Sequence, residues 1–281
     1  MTRSRARVIV EEAAVAERVA AVLDVADFER NDERNDERSD VTIVSHGRLD
    51  QAGDSTGPMV VLCKGTGRRA ALELIASKAL RYMVPVDDRL EDALLTILGK
   101  LAGADLFGLD RYVRHGGLLR TWTAEDSQAK ARILREIGAR AQRLGCPQLI
   151  ADLFLSAIDE MAINAIERHI RAQLGPIEIV AAAEVGRFAV AVRDRVGQLR
   201  PEHVLGSLVR GGAQKAAGMA LDASSAQLGF RIMFDTLSTL AINVERGRRT
   251  EVIGVIDLGK SLREYRDTVP GFGCFVNETP E

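Results

Sequence analysis

Cysteine, surplus charge and long apolar runs are all scarce in this sequence. Its three cysteines, Cys63, Cys146 and Cys274, form no CxxC pair and no cluster with histidine. That excludes a zinc framework, and they read as reduced, buried intracellular thiols. The 38 Lys and Arg against 40 Asp and Glu leave a net charge of -2, which gives no electrostatic reason to bind nucleic acid or an anionic membrane. No apolar stretch approaches the roughly 20 residues that a membrane span needs. The basic opening from Thr2 to Arg7 leads into an apolar run, Val8 to Val10, that stops at Glu11-Glu12 and is too short for a secretory signal. The expectation is a cytoplasmic protein without nucleic-acid or membrane partners. With 281 residues, 46% of them hydrophobic, it can bury one or two cores.

The first hundred residues alternate between short apolar runs and helical periodicity. Arg7 to Val10, Val41 to Val44, Met59 to Leu62 and Tyr82 to Val84 read as strands. Between and after them, Ala13 to Val25, Ala70 to Leu80 and Leu90 to Leu101 carry apolar residues at helical spacing. The repeated Asn-Asp-Glu-Arg from Asn31 to Arg38 reads as a solvated loop. Strands separated by helices imply a parallel α/β sheet. A glycine-bearing linker over 103–116 would separate this unit, residues 1–102, from a second at 117–281. In the second unit the pattern gives a strand at Leu118 to Thr123 and long helices at Ser127 to Leu144 and Gln148 to Ala172. A hairpin follows at Ile177 to Val192, then a helix at Gly229 to Thr239 and strands at Leu240 to Val244 and Glu251 to Leu258. Helices grouped against antiparallel strands imply an α+β two-layer sandwich. With self-sufficient cores, the two units should be separable.

Val10-Glu11-Glu12 after the first strand, together with Tyr82-Met-Val-Pro85, resembles the receiver domain of response regulators. The chemistry that the resemblance implies is missing. Ser45 stands where the acceptor aspartate belongs, Cys63 where a hydroxyl does, and Val84 where a lysine does. A serine cannot form the acyl phosphate, and without the lysine the phosphoryl charge has no partner, so the unit reads as a pseudo-receiver. Lys64-Gly-Thr-Gly67 has its lysine on the wrong side of the glycines for a P-loop.

Ile158-Asp-Glu160-Met-Ala-Ile-Asn164 carries the sharpest signal. Glu160 and Asn164 are four apart, on one face of a helix that is otherwise apolar on its packing side, where an asparagine is costly to bury without partners. A polar residue at a helix edge would explain the pair equally well. Asp194 and Gly197 then end a strand, Gly229 opens a helix, Thr250 follows Gly247-Arg-Arg just before another strand, and Gly206 to Ser225 is rich in small residues. This order resembles GHKL (histidine-kinase-like) ATPase domains, closest in layout to anti-sigma-factor type serine kinases. The resemblance implies Mg2+ and ATP as cofactors, Glu160 as catalytic base, Asn164 as metal ligand and Asp194 as adenine anchor. It also implies Gly197, Gly229 and Thr250 around the nucleotide, and a mobile ATP lid over Gly206 to Ser225. Val196, Gln198 and Gln227 stand where the family has glycines. A sensor histidine kinase is excluded, because about twenty residues between the units leave no room for a phosphoacceptor hairpin, and His46, His115, His169 and His203 lack its motif.

Two functions stay open. One is an ATP-binding signal-transduction regulator that phosphorylates a partner protein on Ser or Thr. The other is a non-enzymatic adaptor in which both folds serve protein docking. Either implies a protein partner, and a homodimer is compatible with both.

Overall fold

The computed structural model describes residues 4–31, 39–53, 57–103, 105–113, 118–208 and 225–277. In the N-terminal half, strands β1 (Ser4–Ile9), β2 (Phe28–Asn31), β3 (Val41–Ser45), β4 (Met59–Cys63) and β5 (Tyr82–Pro85) pair in parallel in the order β2-β1-β3-β4-β5. Val41 to Val44 are all buried, as a strand covered on both faces requires. Helix α1 (Ala13–Val25) buries Val15, Val19, Val22 and Leu23 on the face it shares with α3 (Leu90–Leu101). Helix α2 (Arg68–Lys78) packs Ala71, Leu72 and Ile75 into the core of the other face. A single 3-10 segment, His46–Gln51, replaces the helix that a receiver would carry after β3.

In the C-terminal half, β6 (Leu118–Ala124), α4 (Ser127–Arg143), α5 (Gln148–Arg171), β7 (Ile177–Glu184) and β8 (Arg187–Asp194) follow in turn. Next come a helical stretch at 201–208 (α6), α7 (Ser225–Thr236), β9 (Thr239–Glu245), β10 (Arg249–Asp257), α8 (Leu262–Asp267) and β11 (Gly271–Asn277). Asp126 caps α4 by accepting from the Ala129 amide at 2.7 Å. Ala129, Ile133, Ile137 and Ala141, spaced by four, form its buried stripe. Ser261 and Glu264 form a reciprocal capping box on α8. Most of the lid expected at Gly206 to Ser225 lies outside the described residues, as do 32–38 of the charged patch.

Strand β11 was not expected from the sequence, and it changes the architecture. It pairs in parallel with β9 over seven register positions and antiparallel with β5 over two. The result is one eleven-stranded sheet, β2-β1-β3-β4-β5-β11-β9-β10-β8-β7-β6. The separate cores expected for 1–102 and 117–281 are replaced on one face by a single core. There Val44, Val61 and Met83 belong to the same cluster as Phe154, Phe234 and Phe272. Arg68 on α2 ties the halves further, its guanidinium donating to the carbonyls of Phe234, Leu237 and Tyr265. The expected linker also packs: Leu109 and Val113 are buried against Val180, Ala189 and Ile253 on the outer sheet face. Beside them Lys100, 3% exposed, donates to Tyr112 Oη and Asn243 Oδ1, both at 2.8 Å. Asn243 donates on to Glu251, which also takes Arg193.

The Glu160 to Asp194 strip and its surroundings

Glu160, Asn164 and Arg168 succeed each other at four-residue intervals on α5, so one helix face carries all three. Asn164 is 8% exposed, and its amide nitrogen has no hydrogen-bond partner. Glu160 is half-buried. Burial first, then the charge of Asp159, pushes its carboxyl above the ordinary range, with Lys130 opposing. Gly229 of α7 stands directly on this pair. A Cβ there would lie 2.7 Å from Glu160 Oε2 and 3.5 Å from Asn164 Nδ2.

One turn further along α5, the strip reaches the end of β8. Asp194 is 2% exposed and its carboxylate is fully engaged. Oδ2 accepts from Arg168 Nε at 2.9 Å and Nη2 at 2.6 Å, and Oδ1 from the amides of Val196 at 2.9 Å and Gly197 at 3.3 Å. Four donors use the roughly four acceptor positions of a carboxylate. Thr250 lies opposite Asp194 in the β8–β10 ladder, and its hydroxyl is buried without a partner. Gly197, at φ 62, presses against the β9–β10 turn. A Cβ there would lie 2.2 Å from Glu245 O and 2.6 Å from Arg248 N. Its glycine thus has a cause in backbone packing alone. Val196 is buried and Gln198 exposed.

All six residues singled out in the sequence therefore lie along α5, on the α7 turn packed against it, and at the strand ends facing it. Arg168 was missed. A lone arginine on a helix reads as a solvated charge, although its spacing from Asn164 places it in the same row. His169 is spent structurally: its Nδ1 bonds the Gly175 carbonyl and its Nε2 accepts from the Arg195 amide at 2.9 Å.

At the receiver-like end, the acidic pair is matched by bases. Glu11 accepts from Arg48 at 3.4 Å, and Glu12 is bonded to Lys64. Ser45 Oγ accepts from the Glu11 amide at 3.4 Å. Among the described residues no group of three or more His, Cys, Asp or Glu is placed to hold a metal ion. All three cysteines are free and buried, as expected. Among the described residues no helix is long and apolar enough to cross a membrane.

A cavity of about 260 Å³ lies elsewhere, between β5 and β11, and none of the six strip residues lines it.

No protein-family model matches this chain, and no curated protein does. Among solved structures, a chain in the SiaB-SiaC complex from Pseudomonas aeruginosa is similar at 15% identity with a TM-score of 0.39, covering 50% of this chain and 89% of that one.

Proposed function

We propose that the protein is a signal-transduction regulator whose C-terminal half binds ATP with magnesium along the α5 strip and acts on a protein partner. One observation carries the reading. Only three buried side-chain polar atoms among the described residues lack a partner, and two of them, Asn164 Nδ2 and Thr250 Oγ1, belong to residues marked in the sequence as nucleotide contacts. An unpartnered buried group costs about 1–3 kcal/mol, so two of them on one strip are better explained by a ligand than by packing. Asn164 would serve the phosphate and metal end, and Thr250 the base end. Glu160, its carboxyl raised by burial, is suited to take a proton from a Ser or Thr hydroxyl of the partner.

The donor set at the base end fits less directly. Asp194 can accept an exocyclic amine only if Arg168 gives up Oδ2. This favours a second reading, in which the strip is closed and the fold serves docking without nucleotide.

Calorimetric titration with ATP and magnesium separates the two. Asn164→Ala should weaken binding by about 1–2 kcal/mol, and Arg168→Met should tighten it severalfold by freeing Asp194. Glu160→Gln should leave binding intact and abolish transfer to the partner. If neither the wild type nor Arg168→Met binds at millimolar nucleotide while both remain folded by circular dichroism, the docking reading stands.

A further inference from the structure

The cavity between β5 and β11 is built by the ladder that joins the halves. The two strands are paired only at Phe272↔Met83 and Gly273↔Tyr82, and they part beyond. One side of the gap is the carboxyl end of β5 at Pro85, the other the start of β11 at Gly271. It opens at the carboxyl end of β5, and open α/β sheets take ligands outside the carboxyl ends of their strands. Gly271 and Gly273 share one face of β11, and the room their missing side chains leave is taken by the Thr239 side chain and the Phe275 ring. Ile97 of α3 and Ala241 of β9 complete an apolar wall.

The charges around this wall are nearly all accounted for. Arg89 pairs with Glu184 at 2.9 Å, while Arg187 and Lys260 share Asp257 at 3.0 and 2.8 Å. Arg68 is used by three backbone carbonyls. Arg111 differs from these four cations: its guanidinium makes no hydrogen bond or ion pair with a described residue. It lies 3.9 Å from where a Cβ on Gly99 would stand, in the last turn of α3. The carboxylates Asp87 and Asp88 line the cavity from the opposite end of that helix, roughly 15 Å away along its axis. Asp92, whose carboxylate end of the helix is the same, has a partner of its own. One end of the cavity thus offers a cation that is unpaired among the described residues, beside an apolar wall.

We propose that this cavity binds a small organic carboxylate with an apolar or aromatic body, the carboxylate on Arg111 and the body against Ile97, Ala241 and Phe275. The volume, about 260 Å³, is that of a pocket for a small organic molecule rather than for a lone ion. The site is independent of the α5 strip. Its walls come from both halves, so occupancy raises the melting temperature of the whole chain.

The test uses the full chain and three probes in calorimetry and thermal denaturation: 3-phenylpropionate, phenethylamine and inorganic phosphate. Saturable binding of 3-phenylpropionate is expected at or below about millimolar dissociation constants. It should weaken at least about tenfold in Arg111→Ala, recover partly in Arg111→Lys, and vanish in Ala93→Phe, which fills the cavity from α3. Circular dichroism checks that each variant is folded. The proposal is overturned if 3-phenylpropionate does not bind at several times that concentration, or if either Arg111→Ala or Ala93→Phe leaves its affinity unchanged. Equal binding of phenethylamine removes the role of Arg111, and equal binding of phosphate removes that of the apolar wall; either overturns it too.

Discussion

Gly197 shows how one residue can satisfy two explanations that experiment can separate. Its position in the sequence suggested a glycine that lets a nucleotide approach. In the fold, three backbone atoms, Glu245 O, Gly247 N and Arg248 N, lie within 2.8 Å of where its Cβ would be. No flexible side chain is there to yield. Gly197→Ala should therefore lower stability by about 2–4 kcal/mol even without nucleotide. Gly186, at φ 77 in the β7–β8 turn, has nothing within 4 Å of its Cβ position, so Gly186→Ala should cost only about 1–2 kcal/mol of backbone strain. Urea midpoints of the two variants measure the difference, and equal losses would refute the close-approach argument. Glu160 and Asn164 were legible because two polar groups at helical spacing stand out on an apolar face. Arg168 was not, since its partner Asp194 is 26 residues away and only tertiary structure brings them together.

At the scale of elements, legibility followed locality. Helices α4 and α5 announce themselves through apolar residues at helical spacing, a signal read within a few residues. Strand β2, four residues at the edge of a charged patch, carries too little apolar pattern to register. Strand β11 is legible as an alternation only in hindsight, Gly271 and Gly273 on one face and Phe272 and Cys274 on the other. Nothing in that run names β9 and β5 as its neighbours, so the joined sheet and the shared core were out of reach. Its role predicts the effect of removing it. A chain ending at Val269 should leave the edges of β5 and β9 open and divide the shared core. In the full chain, Trp122 fluorescence on β6 and far-ultraviolet circular dichroism should report one coincident urea transition. In the truncated chain the two probes should separate, or the protein should aggregate; a single unchanged transition would show that β11 does not couple the halves.

For the whole molecule, the junction sets a pH dependence. Burial, reinforced by the charge of Arg111, lowers the Lys100 ammonium to about 7 from its ordinary 10.5, against the pull of Glu251. Between those values the unfolded chain binds the proton that the folded chain has released, so stability rises with pH from about 7. Below about 7 both states are protonated and the full cost of burying the charge is present. Comparing the wild type with Lys100→Met should show a gain of about 2 kcal/mol in the wild type between pH 7 and 9 that the variant lacks. Above pH 9 the buried thiols oppose this gain, since Cys63 and Cys274 are pushed up to about 12 and lose their folded-state protonation late. A parallel pH profile for the two proteins would show that Lys100 does not titrate with folding. The sheet order carries a further consequence, for biosynthesis. The strand at the centre of the sheet leaves the ribosome after the ten strands it unites. Each nascent chain therefore carries two unsealed inner edges until β11 emerges, which makes the interval before its arrival the time of greatest need for a chaperone.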